Sequence, residues 1–362
     1  MVIIGGGVVG CAVAMEVSKR WDDVFLLEQM PRLGMGASTR NSGVLHAGLY
    51  YTPGSRKARH CVRGNRLTYE FCAAHGVEHR RTGKLVVATT EEEAAELEKL
   101  RAKAQKNGVE GLRLVDRAGI RKREPHVEGR AALEADSSGI VASEELVKAY
   151  ARVAAGQGAS VLTRARVTRL EPLGEYVRVG SEAGEIEALV VVNAAGLYAD
   201  EVAQLAGPRP YKIYPVRGEY CEAVKAKAGM IQGLVYPMPH TGGLSLGVHL
   251  TKTLWGTLLV GPTARYVENK EDYEEGRESP EEFARKARRL LPEITAEDLR
   301  PAYTGIRAKL VPPKETGIAD FVIERDPEDP RIIHLVGIES PGLTSAPSIA
   351  EEVAELAGET LS

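Results

Sequence analysis

The chain opens with Met1-Val-Ile-Ile-Gly-Gly-Gly-Val-Val-Gly10, an apolar run that leads directly into the spaced glycines Gly5, Gly7 and Gly10. Residues 11–18 are typical of a helix, so the segment predicts a strand, a tight turn and a helix. Gly5 permits the turn, Gly7 lets a pyrophosphate approach the backbone, and Gly10 lets the helix and strand pack closely. Phosphate groups would then lie on the free N–H groups at the N-terminus of the helix.

A second apolar run, Val24-Phe-Leu-Leu-Glu28, ends in an acidic residue 18 positions after Gly10. A carboxylate at this strand end is suited to accept the ribose hydroxyls of a dinucleotide. Strand, glycines, helix, strand and acid follow one another within about 30 residues, the length of one dinucleotide-binding unit. The sequence therefore predicts dinucleotide binding through Gly5, Gly7, Val8, Val9, Gly10, Glu28 and Gln29.

The composition fits a soluble enzyme, and 362 residues are enough for two domains with cores of their own. The 47 basic and 50 acidic residues nearly balance, and no basic tract is suited to nucleic acid. The chain has no run of 18 apolar residues, and its opening lacks the charged segment of a signal peptide. We therefore expect a cytoplasmic protein with at most peripheral membrane contact. Four cysteines are spaced too widely to predict a metal site or a disulfide framework: Cys11, Cys61, Cys72 and Cys221.

Caps and apolar patterns predict further elements. Helices are expected at 55–75, 91–106, 143–155, 280–291 and 346–356, the fourth beginning with the capping box Ser279-Pro-Glu-Glu282. Strands are expected at 83–89, 160–170, 176–181 and 187–193.

The order of these elements predicts two domains. Apolar strands of the nucleotide-binding type open the chain and return near residue 190 and at 332–337, and strands of another sheet lie between them. The expected fold is α/β, with a nucleotide-binding domain of residues 1–78, 140–208 and 306–362. An α+β substrate domain of residues 79–139 and 209–305, built on a mixed or antiparallel sheet, would interrupt it twice.

Four segments together resemble the FAD-dependent family that contains D-amino acid oxidase, glycine oxidase and glycerol-3-phosphate dehydrogenase. They are residues 5–10 with Glu28, Ala37-Ser-Thr-Arg-Asn-Ser-Gly43, Val192-Asn-Ala-Ala-Gly-Leu-Tyr-Ala-Asp200 and Gly337-Ile-Glu-Ser-Pro-Gly-Leu-Thr344. Within that family, residues 40–64, 236–239, 246–251 and 303–307 are similar to the L-2-hydroxyglutarate dehydrogenases and oxidases. The loop at 337–344 differs, because the better-known members of that group usually have an Asn-Ala-Pro-Ser-Pro sequence there.

The resemblance implies a Rossmann-like domain of the glutathione-reductase-2 type that binds FAD non-covalently. It also implies that the Val167 backbone reaches the adenine and that the helix start after Ser340 stabilises the reduced flavin ring by its dipole. The implied FAD contacts beyond the glycine turn are Ser38, Thr39, Arg40, Asn41, Ser42, Val167, Ala194, Ala195, Gly196, Arg307, Ser340, Pro341, Gly342, Leu343 and Thr344.

His46 is the candidate base that removes a hydroxyl proton while the hydride of the substrate passes to flavin N5. Imidazole titrates near neutrality, and the resemblance matches His46 to a histidine at the flavin face of hydroxy-acid and glycerol-phosphate relatives. The alternative is that His46 only hydrogen-bonds the flavin or stabilises its loop. Tyr50 and Tyr51 follow directly; one could orient the imidazole, although packing explains each of them alone.

An acidic substrate needs fixed positive charge, and the resemblance implies that Arg307 grips a carboxylate with its bidentate fork. A surface salt bridge is the ordinary alternative for an arginine. His249, Thr251 and Lys252 lie in a segment that resembles one lining the substrate pocket. The predicted substrate contacts are His46, Tyr236, His249, Thr251, Lys252, Arg307 and Ser340.

The sequence thus predicts an FAD-dependent dehydrogenase or oxidase of a small acidic 2-hydroxy acid, such as L-2-hydroxyglutarate, that yields a 2-oxo acid. The reduced flavin would pass its electrons to oxygen, a quinone or a protein partner. Oxidation of glycerol-3-phosphate, or of an amino acid such as glycine or sarcosine, is an alternative on the same fold. A non-enzymatic electron-transfer subunit is another, although a carrier needs neither a base nor an anion clamp.

Overall fold

The computed structural model describes residues 1–239 and 246–361 of the chain. The strands in these residues are β1 (Val2–Ile4), β2 (Phe25–Glu28), β3 (Val44–Leu45), β4 (His79–Arg80), β5 (Lys84–Ala88), β6 (Leu112–Asp116), β7 (Ala131–Ala135), β8 (Gly139–Val141), β9 (Ser160–Thr163), β10 (Val167–Leu173), β11 (Tyr176–Ser181), β12 (Gly184–Ala188), β13 (Val191–Asn193), β14 (Tyr214–Ala223), β15 (Leu234–Pro237), β16 (His249–Lys252), β17 (Leu258–Gly261), β18 (Arg265–Tyr266), β19 (Leu299–Lys309), β20 (Val322–Arg325) and β21 (Ile332–Val336). The α-helices are α1 (Val8–Val17), α2 (Arg56–His75), α3 (Glu91–Lys106), α4 (Arg117–Arg123), α5 (Ser143–Gly156), α6 (Ala199–Gln204), α7 (Pro280–Ala287) and α8 (Gly342–Leu361). No helix in the described part of the chain has the length and apolar character needed to span a membrane.

The helix predicted at 55–75 has the ends that its sequence favours. The Ser55 hydroxyl accepts a hydrogen bond from the Ala58 N–H at 3.2 Å, and Gly76 ends α2 with a φ of 68°. Both arrangements satisfy backbone groups that a helix leaves unpaired. The predicted helices at 55–75, 91–106 and 143–155 are confirmed to within one residue at each end.

A six-stranded sheet has the order β20-β21-β13-β1-β2-β9, and its strands are parallel except for the edge strand β20. Alternate residues are buried on opposite faces. Ile3 and Ile333 pack with α1, α5 and α8, whereas Val2 and Ile332 pack with the antiparallel sheet of β10, β11 and β12. Burial on both faces explains why these strands are continuous apolar runs.

A nine-stranded sheet has the order β18-β14-β17-β16-β15-β5-β7-β6, with β19 paired along β14. Its pairs are antiparallel except for β15 with β5. Helices α4 and α7 contribute Ile120 and Phe283 to the core on one face. The predicted fold class is confirmed, since a parallel nucleotide-type sheet stands beside a mixed, mostly antiparallel one.

The six-stranded sheet takes its strands from three separate parts of the chain, residues 2–28, 160–193 and 322–336. The nine-stranded sheet takes its strands from residues 84–135 and 214–309. The exact domain boundaries stay a prediction. Strand β19 runs without interruption across the boundary that the sequence predicts between residues 305 and 306.

Several predicted ends differ from the structure. The strand expected at 160–170 is two strands, because Arg164 has a φ of 57° that interrupts the extended backbone, and 187–193 is divided between β12 and β13. Helix α7 follows Ser279, but no side-chain bond of Ser279 caps it and it ends at Ala287, after which the chain forms only a turn. Helix α8 begins at Gly342 instead of residue 346, because small residues without apolar periodicity form its first turn.

Candidate active site

A cavity of about 1050 Å³ lies at the carboxyl ends of β1, β2 and β13 and is bounded on its other side by residues of β14, β15 and β19. Crevices at strand ends are the ligand sites of open α/β sheets. The predicted site residues that line it are Gly5, Gly7, Val8, Val9, Glu28, Gln29, Ser38, Arg40, Asn41, Ser42, His46, Ala194, Ala195, Gly196, Tyr236, His249, Arg307, Ser340, Pro341, Gly342 and Leu343. Those that do not line it are Gly10, Thr39, Val167, Thr251, Lys252 and Thr344.

The first turn forms a cradle in which side chains have no room. Gly5 has a φ of +111°, and a Cβ there would collide with the Ala194 carbonyl oxygen. A Cβ on Gly10 would collide with the Gly5 carbonyl oxygen, so Gly10 packs α1 against β1 without touching the cavity. Helix α1 begins at Val8 after Gly7, a cap residue without a side chain, and it has no acidic residue in its first turn. Such a helix end attracts phosphate.

The Glu28 carboxylate at the end of β2 is buried and organises the same turn. Oε2 accepts the Gly6 N–H at 2.6 Å, and Oε1 accepts the Met30 N–H at 2.7 Å. Burial raises the pKa of Glu28, and the backbone hydrogen bonds oppose this rise. The Gln29 N–H is a third backbone donor to this carboxylate, which leaves about one of its four lone pairs for a ligand hydroxyl. The cradle and this carboxylate together fit the pyrophosphate and ribose of a dinucleotide.

The loop after β2 closes over the N-terminus of α1. Ser38 Oγ accepts the Val8 N–H at 2.9 Å. Thr39 Oγ1 donates to the Gly34 carbonyl oxygen at 2.7 Å, so this side chain braces the loop and is not available to a ligand.

Two other predicted cofactor contacts lie in the protein core. The Val167 side chain is buried between the sheets and the adjacent Arg166 lines the cavity, so the contact of the Val167 backbone with the adenine stays a prediction. Thr344 is fully buried, and its Oγ1 accepts the His46 N–H at 3.0 Å. The Thr344 side chain therefore fixes the His46 loop to α8 and does not line the cavity.

His46 lines the cavity with both ring nitrogens in polar contact. Nδ1 is 3.3 Å from Lys84 Nζ, and Nε2 is 3.4 Å from Ser340 Oγ. The His46 carbonyl oxygen accepts a hydrogen bond from Asn65 Nδ2 at 3.0 Å, so the backbone is held as well. Burial and the nearby Lys84 and Arg307 cations lower the pKa of His46 well below its ordinary value. The imidazole is thus neutral at physiological pH and has one acceptor nitrogen.

Arg307 lines the same cavity from β19. Among residues 1–239 and 246–361 its guanidinium has no hydrogen bond or ion pair, so the alternative of a surface salt bridge does not apply. Its charge contributes to the low pKa values of His46 and His249. An unpaired guanidinium beside a neutral imidazole is suited to bind a carboxylate.

Tyr236 and His249 form one wall of the cavity. Their rings stack with centroids 3.6 Å apart and an interplanar angle of 14°. His249 Nε2 is buried without a hydrogen-bond partner in the described structure. Burial and the cations Lys84 and Arg307 lower the pKa of His249 well below its ordinary value.

Two predicted substrate contacts on β16, Thr251 and Lys252, do not line the cavity. Thr251 lies on the same face of β16 as His249 but is fully buried, and its Oγ1 has no hydrogen-bond partner within the described residues. Lys252 lies three residues after His249, so strand alternation turns its side chain to the other face, where Nζ donates to the Ala228 carbonyl oxygen.

Sequence reasoning missed four charged residues at this site. Lys84 is fully buried at the start of β5, and its Nζ lies 3.9 Å from the ring centre of Tyr236. Lys57, Lys309 and Glu339 line the cavity together, with Glu339 Oε1 at 2.8 Å from Lys57 Nζ and 3.4 Å from Lys309 Nζ. A lysine within the apolar run Lys84-Leu-Val-Val-Ala88 is the one signal that could have been read in advance.

The sequence profile of the family described as FAD dependent oxidoreductase matches residues 1–356. The chain belongs to this family. FAD is accordingly its cofactor, and the glycine cradle, Glu28 and the start of α1, which has no acidic residue in its first turn, fit that group. The resemblance drawn from the four sequence segments is confirmed.

Three similar proteins match nearly the whole length of this chain. The mitochondrial L-2-hydroxyglutarate dehydrogenase of Arabidopsis thaliana is 35% identical over 400 residues, which cover 98% of this chain and 82% of that protein. The mitochondrial L-2-hydroxyglutarate dehydrogenase of Homo sapiens is 31% identical, with 98% and 88% covered. The solved structure of the dithionite-reduced, FAD-bound L-alpha-glycerophosphate oxidase of Mycoplasma pneumoniae has a TM-score of 0.90 at 27% identity, with 99% and 94% covered.

Proposed function

We propose that this chain oxidises L-2-hydroxyglutarate to 2-oxoglutarate. One observation carries the proposal: a neutral imidazole, His46, and an unpaired guanidinium, Arg307, line one cavity of an FAD-dependent oxidoreductase. The choice of this 2-hydroxy acid is supported by relatives named L-2-hydroxyglutarate dehydrogenase that match 98% of the chain.

Different residues of the cavity carry out the separate steps of alcohol oxidation. His46 accepts the hydroxyl proton at Nε2, the nitrogen beside Ser340. Arg307 binds the carboxylate next to the reacting carbon through two parallel N–H···O bonds. When bound, FAD supplies the acceptor for the hydride that leaves the same carbon.

The second carboxylate of the substrate needs its own donor. His249 presents a buried Nε2 that has no partner in the described part of the chain. Because its pKa is low, we infer that His249 binds the distal carboxylate as a neutral N–H donor. The stacked Tyr236 ring holds the His249 ring in place.

Glycerol-3-phosphate is the second candidate substrate. An L-alpha-glycerophosphate oxidase superposes on this chain with a TM-score of 0.90. The same base and the same guanidinium would serve a phosphorylated alcohol. A pure electron-transfer role has less support, because a carrier needs neither group.

Anaerobic mixing of the purified enzyme with a substrate panel tests the proposal. L-2-Hydroxyglutarate should bleach the flavin absorbance faster than glycerol-3-phosphate, glycine or L-lactate. Faster bleaching by any of these three would overturn the assignment. Exposure of the reduced enzyme to oxygen, and then to a quinone, identifies the class of electron acceptor. The cytoplasmic location and at most peripheral membrane contact stay predictions that cell fractionation tests.

A further inference from the structure

Lys84 lies in an environment that is unusual for a lysine. Its side chain is fully buried, with Nζ 3.3 Å from His46 Nδ1 and over the ring of Tyr236. No carboxylate pairs with it among residues 1–239 and 246–361. Burial of an unpaired ammonium is unfavourable, so both the charged and the neutral forms must be considered.

The titratable and charged groups that face Lys84 come from several elements. They are His46 and Tyr50 in the loop after β3, Cys61 of α2, Tyr236 of β15, His249 of β16 and Arg307 of β19. Burial lowers the pKa of Lys84 to about 7, and Cys61 opposes the shift. Amine and ammonium forms of Lys84 are therefore both populated near neutral pH.

The protonation state of Lys84 decides which nitrogen of His46 carries the imidazole proton. An ammonium donates to Nδ1, which leaves the proton of a neutral imidazole on Nε2 and blocks that nitrogen as a base. A neutral amine instead accepts from Nδ1–H, which leaves the lone pair of Nε2 free for the substrate. The 3.3 Å contact between Lys84 and His46 thus selects between an inactive and an active tautomer.

We propose that Lys84 is a positioning residue that acts through His46, setting its tautomer and taking up its Nδ1 proton as the substrate is oxidised. This rests on the proposed alcohol oxidation, in which His46 Nε2 is the base. As the substrate O–H bond breaks and the bond from Nε2 to that proton forms, the Nδ1–H bond breaks and its proton moves to Lys84 Nζ. Lys84 ends as an ammonium and His46 ends neutral, while the electron pair of the substrate C–H bond leaves with the hydride to FAD.

The electrostatics of the cavity favour this proton transfer from the substrate to His46 and from His46 to Lys84. Burial, together with the charges of Lys84 and Arg307, lowers the pKa of His46, so an imidazole acting alone would be a weak base. The amine of Lys84 has the higher proton affinity of the pair, which makes the net proton transfer more favourable. The two groups are expected to titrate as one coupled pair.

Nitrogen NMR of the FAD-loaded enzyme tests the tautomer without any substrate. With 15N-labelled histidine, the His46 signal is identified by its loss in His46→Gln. In the wild type it should change from the Nε2–H to the Nδ1–H form as the pH rises through about 7. Lys84→Met should abolish the change, whereas Lys286→Met, on α7 outside the cavity, should retain it. A wild-type tautomer that stays constant from about pH 6 to about pH 8 overturns the proposal whatever the substrate is.

The rate constant of anaerobic flavin reduction gives the second readout. In the wild type and in Lys286→Met, this rate constant should rise with pH and follow the titration of a single group. Lys84→Met should lose this dependence and be slower by about 10²-fold at alkaline pH. Lys84→Arg should be slow at every pH, because its permanent cation holds the Nε2–H tautomer. A Lys84→Met enzyme with the wild-type rate and pH profile overturns the proposal. An intact tautomer change without reduction by L-2-hydroxyglutarate overturns the proposed function alone.

Discussion

His46 is held by its backbone, while the polar contacts of its ring among the described residues are with Lys84 at 3.3 Å and Ser340 at 3.4 Å. Replacement by alanine keeps the backbone bonds and removes the ring. We expect His46→Ala to retain FAD and to slow flavin reduction by about 10²–10⁴-fold, the range for loss of a general base. Stopped-flow absorbance measures the rate, and FAD released on denaturation measures the content. A wild-type rate would place the base elsewhere, and loss of FAD would make His46 structural.

Arg307 differs from Lys57 and Lys309 because it forms no salt bridge with Glu339 or with another acidic side chain of the described residues, although its charge helps to lower the pKa of Glu339. Arg307→Lys keeps the charge but loses the bidentate fork, so we expect weaker substrate binding. Arg307→Ala should raise the KM by about 10- to 100-fold, since a charged hydrogen bond contributes about 1.5–3 kcal/mol. Steady-state kinetics with L-2-hydroxyglutarate measure both variants. An unchanged KM in Arg307→Ala would exclude Arg307 as the anion clamp.

Local motifs and the family resemblance were enough to predict residues that meet in one cavity, among them His46, Arg307 and Ser340. Lys252 is wrongly predicted because a stretch of sequence does not show which face of a strand borders the cavity. Lys84 belongs to no motif, and its position depends on β5 meeting a loop that lies 38 residues earlier in the chain. A charged residue in an apolar strand is a local signal that Lys84 is unusual, but its partner His46 is set by packing and cannot be read from the sequence.

Among the elements, the turn from β1 to α1 is where backbone atoms lie closest together. A Cβ on Gly10 would collide with the Gly5 carbonyl oxygen, so Gly10→Ala must move α1 away from β1. We expect a loss of about 1–3 kcal/mol in the free energy of unfolding and weaker FAD binding. Urea denaturation and fluorescence titration with FAD measure the two effects.

Gly156→Ala provides the matched control for this substitution. A Cβ on Gly156, the last residue of α5, would have no atom within 4 Å. This variant should bind FAD like the wild type and gain up to about 1 kcal/mol of stability, because alanine loses less backbone entropy than glycine in a helix. Equal FAD affinity in the two alanine variants would contradict the role given to Gly10.

The elements that the sequence predicts best are those with local caps, such as α2 between Ser55 and Gly76. Strand boundaries are less predictable. The break at Arg164 depends on a positive φ at a residue that is neither glycine nor proline, so the sequence does not indicate it. The parallel pairing of β15 with β5 joins segments about 150 residues apart, so only the folded chain reveals it. Apolar patterns therefore predict which strands exist more reliably than how they pair.

For the molecule as a whole, stability in acid should depend on the buried charges at the cavity. Lys57 and Lys309 hold the pKa of Glu339 down at about 2. A carboxyl group with a lowered pKa stabilises the fold above its ordinary pKa of about 4.3, and this contribution is lost as the pH falls toward about 2. We expect the free energy of unfolding of Glu339→Gln to depend less on pH in this range than that of the wild type. Glu98→Gln, on the exposed face of α3, should leave the pH dependence unchanged. Urea denaturation from about pH 6 to about pH 3 measures it, and identical curves for wild type and Glu339→Gln would contradict the assignment.

The same cavity borders both large sheets, so FAD should stabilise the entire fold and not one domain alone. Gly5 and Glu28 line it from the six-stranded sheet, and Tyr220 and Arg307 line it from the nine-stranded sheet. A ligand that binds only the folded chain adds RT ln(1 + [FAD]/Kd) to the free energy of unfolding, about 4 kcal/mol at a thousandfold excess over Kd. We expect the Tm of FAD-depleted protein to rise with the logarithm of FAD concentration in one cooperative transition, which scanning calorimetry measures. Gly10→Ala should need far more FAD for the same rise. Two transitions, of which FAD moves only one, would mean that the sheets unfold independently and that the cofactor stabilises only one of them.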